Sequence, residues 1–539
     1  MAHGLRSSCH NAYSVVLCEL GKPTETEVTQ NFHDSTTGAF LQPARVRHRS
    51  RDKSSATIDI IVNLGSRVNF LLTQFTALIL AGFLRTFLNP VAVTAATRHV
   101  FGLVIGLALG YFCFGRQAIH LAGLPALCYI AMRTQNPRNI QRVVLTTALL
   151  YLSCVHYHRQ MYNYGSYTLD ITGPLMVITQ KVTSLAYSIH DGLTRREEEL
   201  TPTQRYQAVK KMPTTLEYFS YVFHFQALMA GPVIFYRDYI DFIHGRNLTG
   251  AKALTGCDKN SGHYDEIVLE PSPTPVVIKK VVVSLLCAAM FVTFIPTYPI
   301  QKLKDDDFLK TTTVFYKMWY LMVTTMLVRF KYYHAWIFAD AICNNSGLGF
   351  SGYDDNGEPK WDLASNVDVY GFEMSLNLRD SIEHWNKGTN RWLRSIVYER
   401  VKHNKVMFTY ALSALWHGFY PGYYLTFANG AFFTVASRVT RRNIRPYFLG
   451  SKGMKFLYDA LTFTTTRLLM AYMTFSFILL EFMPSVTMYL YVYLFPHIIG
   501  LALLVIAPRL PKIPSHKEAT VKESKTPQEL INGTARKST

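Results

Sequence analysis

Several features common in soluble enzymes are scarce or missing in this chain of 539 residues. Charged residues make up 17% of it, whereas typical soluble domains have about 25%. Its eight cysteines contain no Cys-x-x-Cys pair, which favours buried thiols over a disulfide framework. The sequence also contains no Gly-x-Ser-x-Gly nucleophile elbow and no metal-ligand spacing of histidines. The glycines of "NNSGLGF", 344–350, do not follow a predicted strand and therefore form no nucleotide-binding fingerprint. No serine hydrolase, dinucleotide-binding domain or metal site is therefore predicted.

Apolar and basic residues are what the chain does contain. Hydrophobic residues reach 49%, aromatic residues 14%, and the net charge is +19. The lysines and arginines are scattered through short loops between apolar runs, a pattern that suits anionic lipid headgroups and membrane topology signals. The basic residues are therefore predicted to contact membrane lipids, and no nucleic-acid partner is expected.

Long apolar windows recur along most of the chain. A helix needs about 20 apolar residues to cross a bilayer. Windows that reach or approach this length are 68–88, 100–114, 118–132, 143–157, 218–236, 281–295, 315–343, 406–436, 461–480 and 486–507. They predict an all-α, polytopic membrane bundle of about 10–11 transmembrane helices.

Three regions follow from this pattern. Residues 1–56 lack periodic apolar positions and are predicted to be a disordered arm. Residues 57–507 would form the membrane domain. Residues 508–539 form a polar, basic tail that is also predicted to be disordered.

Basic residues cluster in three connections between apolar windows: 194–213, 391–405 and 438–455. The positive-inside rule assigns short loops of this kind to the cytosol. We therefore expect all three connections on the cytosolic side.

Two polar residue types stand out against this apolar background. His417 is the only titratable side chain near neutral pH in "ALSALWHGFYPGYYLTF". An unpaired polar group in such surroundings costs roughly 2–7 kcal/mol, so the imidazole has either a structural hydrogen-bond partner, for which Ser413 is a candidate, or a chemical use.

The segment "SIEHWNKGTNRWLRSIVYERV", 381–401, predicts an interfacial amphipathic helix with Asn386 and Asn390 on one face. Either amide could be a helix cap, or could donate to a developing oxyanion.

The two segments together resemble a known signature. "HWNKGTNRW" followed by "SALWHGFYPGYY" is similar to the motifs of the membrane-bound O-acyltransferases. The closer resemblance is to lysophospholipid acyltransferases of that family, of the type that acts on lysophosphatidylethanolamine and lysophosphatidylserine. It extends to 173–192, 216–232 and 331–357, and so covers most of residues 60–510.

The resemblance implies a catalytic pair within a helical bundle that encloses a tunnel. The active-site asparagine of the family corresponds to Asn386 and its histidine to His417. A bulky apolar residue usually follows that asparagine, whereas this chain has Lys387 and Gly388. This departure makes the local helix geometry the point to check.

The positions around this pair are weaker candidates for substrate binding. Trp385, Asn390 and Trp416 are candidates for the substrate pocket. Arg391 and Arg394 are candidates for contacts with the phosphates of coenzyme A.

The implied activity is the transfer of a fatty acyl chain from acyl-CoA to the free hydroxyl of a lysophospholipid. It would take place in the endoplasmic reticulum membrane, with acyl-CoA as co-substrate and no further cofactor. Because a thioester is already activated, direct attack assisted by a base is sufficient. Two alternatives remain open from the residues alone. One is a related acyltransferase with a sterol, diacylglycerol or protein acceptor, and the other is a membrane transporter.

Overall fold

The structure is a computed structural model, and it describes residues 53–162, 164, 170–248 and 271–511. The described residues from Ile58 onward form one compact unit. Most of the predicted arm and tail lies outside the described residues. At the edges of the described chain, the first helix begins at Lys53 and a 3-10 turn occupies Ala507–Arg509.

The N-terminal part of the described chain is helical throughout, with short connections. Thr94 begins the second helix by accepting the N–H of Thr97, and Gly115 ends it. Thr214 and Glu217 form a reciprocal capping box at the start of the seventh helix. The helices are α1 Lys53–Phe87, α2 Ala95–Phe114, α3 Ile119–Thr134, α4 Ile140–Tyr162, α5 Thr172–Thr194, α6 Pro202–Gln207, α7 Thr215–Phe223, α8 Phe225–Leu228 and α9 Tyr236–Ile243.

The C-terminal part continues in the same way, which confirms the all-α prediction. Its helices are α10 Thr274–Phe294, α11 Asp306–Thr311, α12 Val314–Asn345, α13 Val369–Glu373, α14 Leu378–His384, α15 Lys387–Leu393, α16 Lys405–His417, α17 Pro421–Ile444, α18 Lys452–Leu479, α19 Phe482–Tyr491 and α20 Phe495–Ile506. One small hairpin interrupts them, in which β1 Gly352–Tyr353 pairs antiparallel with β2 Pro359–Lys360.

Three of the described helical segments are long and apolar enough to span a membrane: Val68–Phe87, Ala95–Thr134 and Thr274–Phe294. The bent pair Phe482–Tyr491 and Phe495–Arg509, which turns by 73°, makes a fourth if it is counted as one span. These three or four helices meet the criterion of length and composition, and the count of about 10–11 stays a prediction. The remaining long helices contain polar and charged side chains that pack inside the bundle, such as Lys181 on α5, which is fully buried.

Several predicted apolar windows are broken in the structure. The window 218–236 is not one helix, because α7 ends before His224 and α8 is a single turn. The window 406–436 is divided at Gly418 into α16 and α17. The amphipathic helix expected over 381–401 is divided at Asn386 into α14 and α15, followed by a π-helical turn at Arg394–Tyr398.

The described cysteines are all free. Cys154 is exposed, and the other four are buried as expected: Cys113, Cys128, Cys287 and Cys343. Each of these four therefore packs as a small apolar side chain.

Two large clusters of buried apolar residues form most of the core of the described chain, beside a small third one of Leu248, Phe350 and Trp361. The first is built mainly from α1–α9 and also contains Trp392 and Trp416. The second is built mainly from α10–α20, and Trp385 packs against it. The segment around Asn386 therefore lies where the two clusters meet.

Candidate active site

Asn386 occupies the break between α14 and α15. Its backbone has φ 46° and ψ 56°, the left-handed region that residues other than glycine rarely adopt and that asparagine tolerates best. Its side-chain Oδ1 accepts the backbone N–H of Thr389 at 3.3 Å and so caps α15. Within the described residues its Nδ2 has no hydrogen-bond partner, and the side chain is half-buried. One end of the amide is used for the cap, and the other remains available as a donor.

Trp385 fixes the chain just before this break. Its ring lies 4.9 Å from that of Trp336 and 5.2 Å from that of Phe372, measured between ring centres. It is also 5.9 Å from the ring of Tyr333. Trp385 therefore packs between α12 and α13, and these contacts give it a role in placing Asn386.

Asn390, one turn after Asn386, uses its amide differently. Its Nδ2 donates to the carbonyl oxygens of Ile382 at 2.6 Å and Trp385 at 2.8 Å. Both carbonyls lie at the C-terminal end of α14, and that of Ile382 also accepts the backbone N–H of Trp385 at 3.3 Å. The two neighbouring asparagines thus differ in kind, because the donor of Asn390 is occupied and the donor of Asn386 is not.

His417 is the last residue of α16, and Gly418 ends the helix with φ 110°. The ring Nδ1 lies 2.7 Å from the backbone oxygen of Ser413. A carbonyl oxygen can only accept, so Nδ1 carries the proton, and in the neutral ring Nε2 carries the lone pair. Ser413 is therefore a hydrogen-bond partner of His417, as expected, through its backbone carbonyl and not its hydroxyl.

The second nitrogen of His417 faces aromatic surroundings. The ring centres of Phe427, Phe477 and Tyr423 lie 4.8, 5.2 and 5.8 Å from that of His417. No described residue forms a hydrogen bond with Nε2, and the side chain is only half-buried. A neutral imidazole with one tied and one free nitrogen is suited to act as a general base.

Trp416 joins the helix of His417 to the helix of Asn386. It is 4% exposed, and its Nε1 donates to the carbonyl oxygen of Met176 at 3.0 Å. Its ring centre lies 5.6 Å from that of Trp392 on α15. α15 and α16 are therefore packed together, although no hydrogen bond joins Asn386 to His417 within the described part of the chain. These contacts make Trp416 an anchor between the two helices.

A large cavity of about 1970 Å³ opens beside this site. Two of the three predicted basic clusters meet on its wall, while the cluster at 194–213 does not reach it. Lys387 and Asn390 also line the cavity, whereas Asn386 and His417 do not. The arginines on the wall are Arg379, Arg391, Arg394, Arg438, Arg441, Arg442 and Arg445.

The side chains of these arginines differ in whether they already form an ion pair or a hydrogen bond with another protein group. Arg394 pairs with Glu399 at 2.9 Å, and Arg391 donates to the carbonyl oxygen of Leu363 at 3.3 Å. The four on α17 and the turn that follows it form no ion pair or hydrogen bond with a described residue: Arg438, Arg441, Arg442 and Arg445. A group of unpaired guanidinium ions on a cavity wall is a receptor for an anion such as a phosphate.

Sequence reasoning missed His156 on α4. Its Nε2 donates to the carbonyl oxygen of Trp416 at 3.1 Å, a contact between residues 260 positions apart. A side chain on Gly418 would touch the His156 ring at 3.0 Å, so the glycine allows this close approach. Nothing in the local sequence distinguishes His156 from the other histidines, because its function depends on a long-range contact.

Known proteins resemble the chain over most of its length. The family model of the membrane-bound O-acyltransferases matches residues 157–483. Lysophospholipid acyltransferase 6 of Drosophila melanogaster is 57% identical over 443 residues, which are 82% of this chain and 61% of that protein. Membrane-bound glycerophospholipid O-acyltransferase 1 of Homo sapiens is 39% identical over 447 residues, 83% of this chain and 90% of that protein. Membrane-bound glycerophospholipid O-acyltransferase 2 of Mus musculus is 40% identical over 444 residues, 82% of this chain and 85% of that protein. The chain belongs to the membrane-bound O-acyltransferase family.

Proposed function

We propose that this integral membrane protein transfers a fatty acyl chain from acyl-CoA to the free hydroxyl of a lysophospholipid. The names of the similar proteins, lysophospholipid and glycerophospholipid acyltransferases, support this acceptor class over a sterol, a diacylglycerol or a protein. Lysophosphatidylethanolamine and lysophosphatidylserine are the proposed acceptors, and the endoplasmic reticulum is the proposed membrane. A reaction of this kind remodels the acyl chains of membrane phospholipids.

The chemistry is assigned to Asn386 and His417. Nε2 of His417 removes the proton of the acceptor hydroxyl as the hydroxyl oxygen attacks the thioester carbonyl. Nδ2 of Asn386 donates to the carbonyl oxygen, on which negative charge grows. Collapse of the tetrahedral intermediate breaks the carbon–sulfur bond, and the departing CoA thiolate takes the proton from Nε2. The bond from His417 Nδ1 to the Ser413 carbonyl carries this proposal, because it leaves Nε2 as the base.

The co-substrate is assigned to the large cavity. Coenzyme A carries several phosphate charges, and the four unpaired arginines, Arg438, Arg441, Arg442 and Arg445, offer complementary guanidinium groups. Arg391 and Arg394 remain secondary candidates, since each already has a protein partner. No metal or additional cofactor enters the proposed reaction.

The experiment is an acyltransferase assay on membranes from cells that express the chain or its His417→Ala variant at equal levels. A panel of lysophospholipids, cholesterol and diacylglycerol is combined with several acyl-CoAs. We expect CoA release and a diacyl phospholipid product that depend on His417, with the highest rates for the ethanolamine and serine lysolipids. His417-dependent transfer to a sterol or diacylglycerol alone would overturn the proposed acceptor. Equal activity of the variant would overturn the proposed base.

A further inference from the structure

The left-handed backbone of Asn386 requires support from its surroundings. A residue other than glycine in this region costs about 1–3 kcal/mol and persists only where neighbouring groups hold it there. The hydrogen bonds of the first three N–H groups of α15 identify the neighbouring groups that hold this conformation. Asn386 Oδ1 accepts only the third, from Thr389. The first two, from Lys387 and Gly388, are accepted by Asn366, through its backbone oxygen at 2.8 Å and its side-chain Oδ1 at 2.9 Å.

Asn366 is itself firmly held. It is 4% exposed and lies in the loop between β2 and α13. The hydroxyl of the preceding residue, Ser365, donates to Asp340 Oδ2 at 2.7 Å. Lys280 donates to the same carboxylate oxygen at 2.6 Å and to the carbonyl oxygen of Trp361 at 2.9 Å. The loop is therefore fixed to both α10 and α12, and Asn366 is a rigid support.

Gly388 allows α15 to approach this support closely. A Cβ atom at this position would lie 3.1 Å from both Asn366 Oδ1 and the backbone nitrogen of Val233. Either contact is tighter than an ordinary van der Waals distance, so a side chain would displace the helix or its support. The glycine that departs from the usual family pattern thus fits the close contact with Asn366.

We propose that Asn366 is a positioning residue for acyl transfer. By accepting the first two N–H groups of α15, it holds Asn386 in the left-handed conformation in which Oδ1 caps the helix and Nδ2 stays free for the substrate. This inference rests on the proposed donor role of Asn386, and it assigns Asn366 no contact with the substrate. Asn366 acts only through the placement of Asn386.

A double-mutant cycle on the full chain tests this inference. Four proteins are compared: the unmodified enzyme, Asn366→Ala, Asn386→Ala and the double variant. For each, kcat and the KM of both substrates are measured, and kcat is normalised to the amount of the protein in the membrane. Since a displacement of about 1 Å at a reacting group can cost about 100-fold, Asn366→Ala should lower kcat by about 10- to 100-fold. KM should change by less than about threefold. In the Asn386→Ala background the same substitution should lower kcat by less than about threefold, because its target is already absent.

The control is Asn429→Ala on α17. Asn429 is also buried, at 8% exposed, and its amide also makes two hydrogen bonds, to Tyr489 and His497. It should lower the amount of folded protein while kcat per molecule remains within about threefold of the parent. A similar fall in kcat for Asn429→Ala and Asn366→Ala would show a general packing effect and overturn the inference.

The remaining outcomes are also decisive. An equal fall for Asn366→Ala in both backgrounds, or no fall in either, would overturn the positioning role. If Asn366→Ala is absent from the membrane, Gly388→Ala takes its place in the cycle with the same expected results and the same criteria. A normal kcat for Asn386→Ala alone would instead overturn the donor role in the proposed function, and the positioning role with it.

Discussion

Asn386 and Asn390 provide a matched pair for separating chemistry from packing. Asn386→Ala removes a helix cap, which costs about 1 kcal/mol, and places alanine in the left-handed region, which costs about 1–2 kcal/mol. Asn390→Ala removes two hydrogen bonds to backbone carbonyls, at about 1 kcal/mol each. Both variants should therefore lose about 2–3 kcal/mol of stability.

Their effects on catalysis should differ by orders of magnitude. Loss of one oxyanion donor lowers the rate by about 10²–10³ in a calibrated soluble enzyme. We expect a fall of that size in kcat for Asn386→Ala, with a smaller change in KM, since the bond strengthens as charge develops. Asn390→Ala should retain kcat within about threefold. The measurement is initial rate against each substrate, with the amount of folded enzyme determined in the same membranes.

Asn386→Gly is the third variant of this set. Glycine adopts the left-handed region freely and costs only a few tenths of a kcal/mol as a cap, so folding should be nearly normal. Its kcat should nevertheless be as low as that of Asn386→Ala. A kcat near that of the unmodified enzyme in Asn386→Gly would refute the donor role and leave Asn386 as a structural cap.

Three further results are expected. His417→Ala should insert normally and lose about 10²–10⁴ in kcat, and normal turnover would exclude it as the base. The double substitution Arg441→Ala with Arg442→Ala should raise KM for acyl-CoA and weaken its salt dependence more than Arg394→Ala does, as measured by rates across ionic strengths. His156→Phe keeps an aromatic ring but loses the donor to the end of α16, so kcat should fall by about tenfold, and an unchanged kcat would make that contact purely structural.

The helical class and the chemistry-bearing segments could be predicted from local sequence. Apolar periodicity marks α10, α12 and α18, and the motif around His417 marks the end of α16. The loops 391–405 and 438–455 line one cavity in the structure. Their shared positive charge predicts only that both lie on the same side of the membrane.

The break at Asn386 could not be predicted from the sequence. The segment 381–401 has helical spacing and no proline, so local rules extend one helix through it. The chain turns there because Asn366, 20 or more positions earlier, accepts the two N–H groups that begin α15. Apolar length alone also does not select the same helices as the predicted windows do. Apolar windows do not show which helices, such as α5 with its buried Lys181, also carry polar residues into the bundle.

The bond between His417 and the carbonyl of its own helix has a consequence for electrical neutrality. In serine proteases a carboxylate holds the catalytic histidine and stabilises its charged form. Here a neutral carbonyl orients the ring, and no described carboxylate forms an ion pair or hydrogen bond with it. An imidazolium would therefore have no protein counter-ion among the aromatic rings. Its charge would be balanced only by the oxyanion of the tetrahedral intermediate and then by the thiolate, which takes its proton. The site is uncharged before and after each turnover, and an acid–base centre can thus reside in apolar surroundings without a counter-ion.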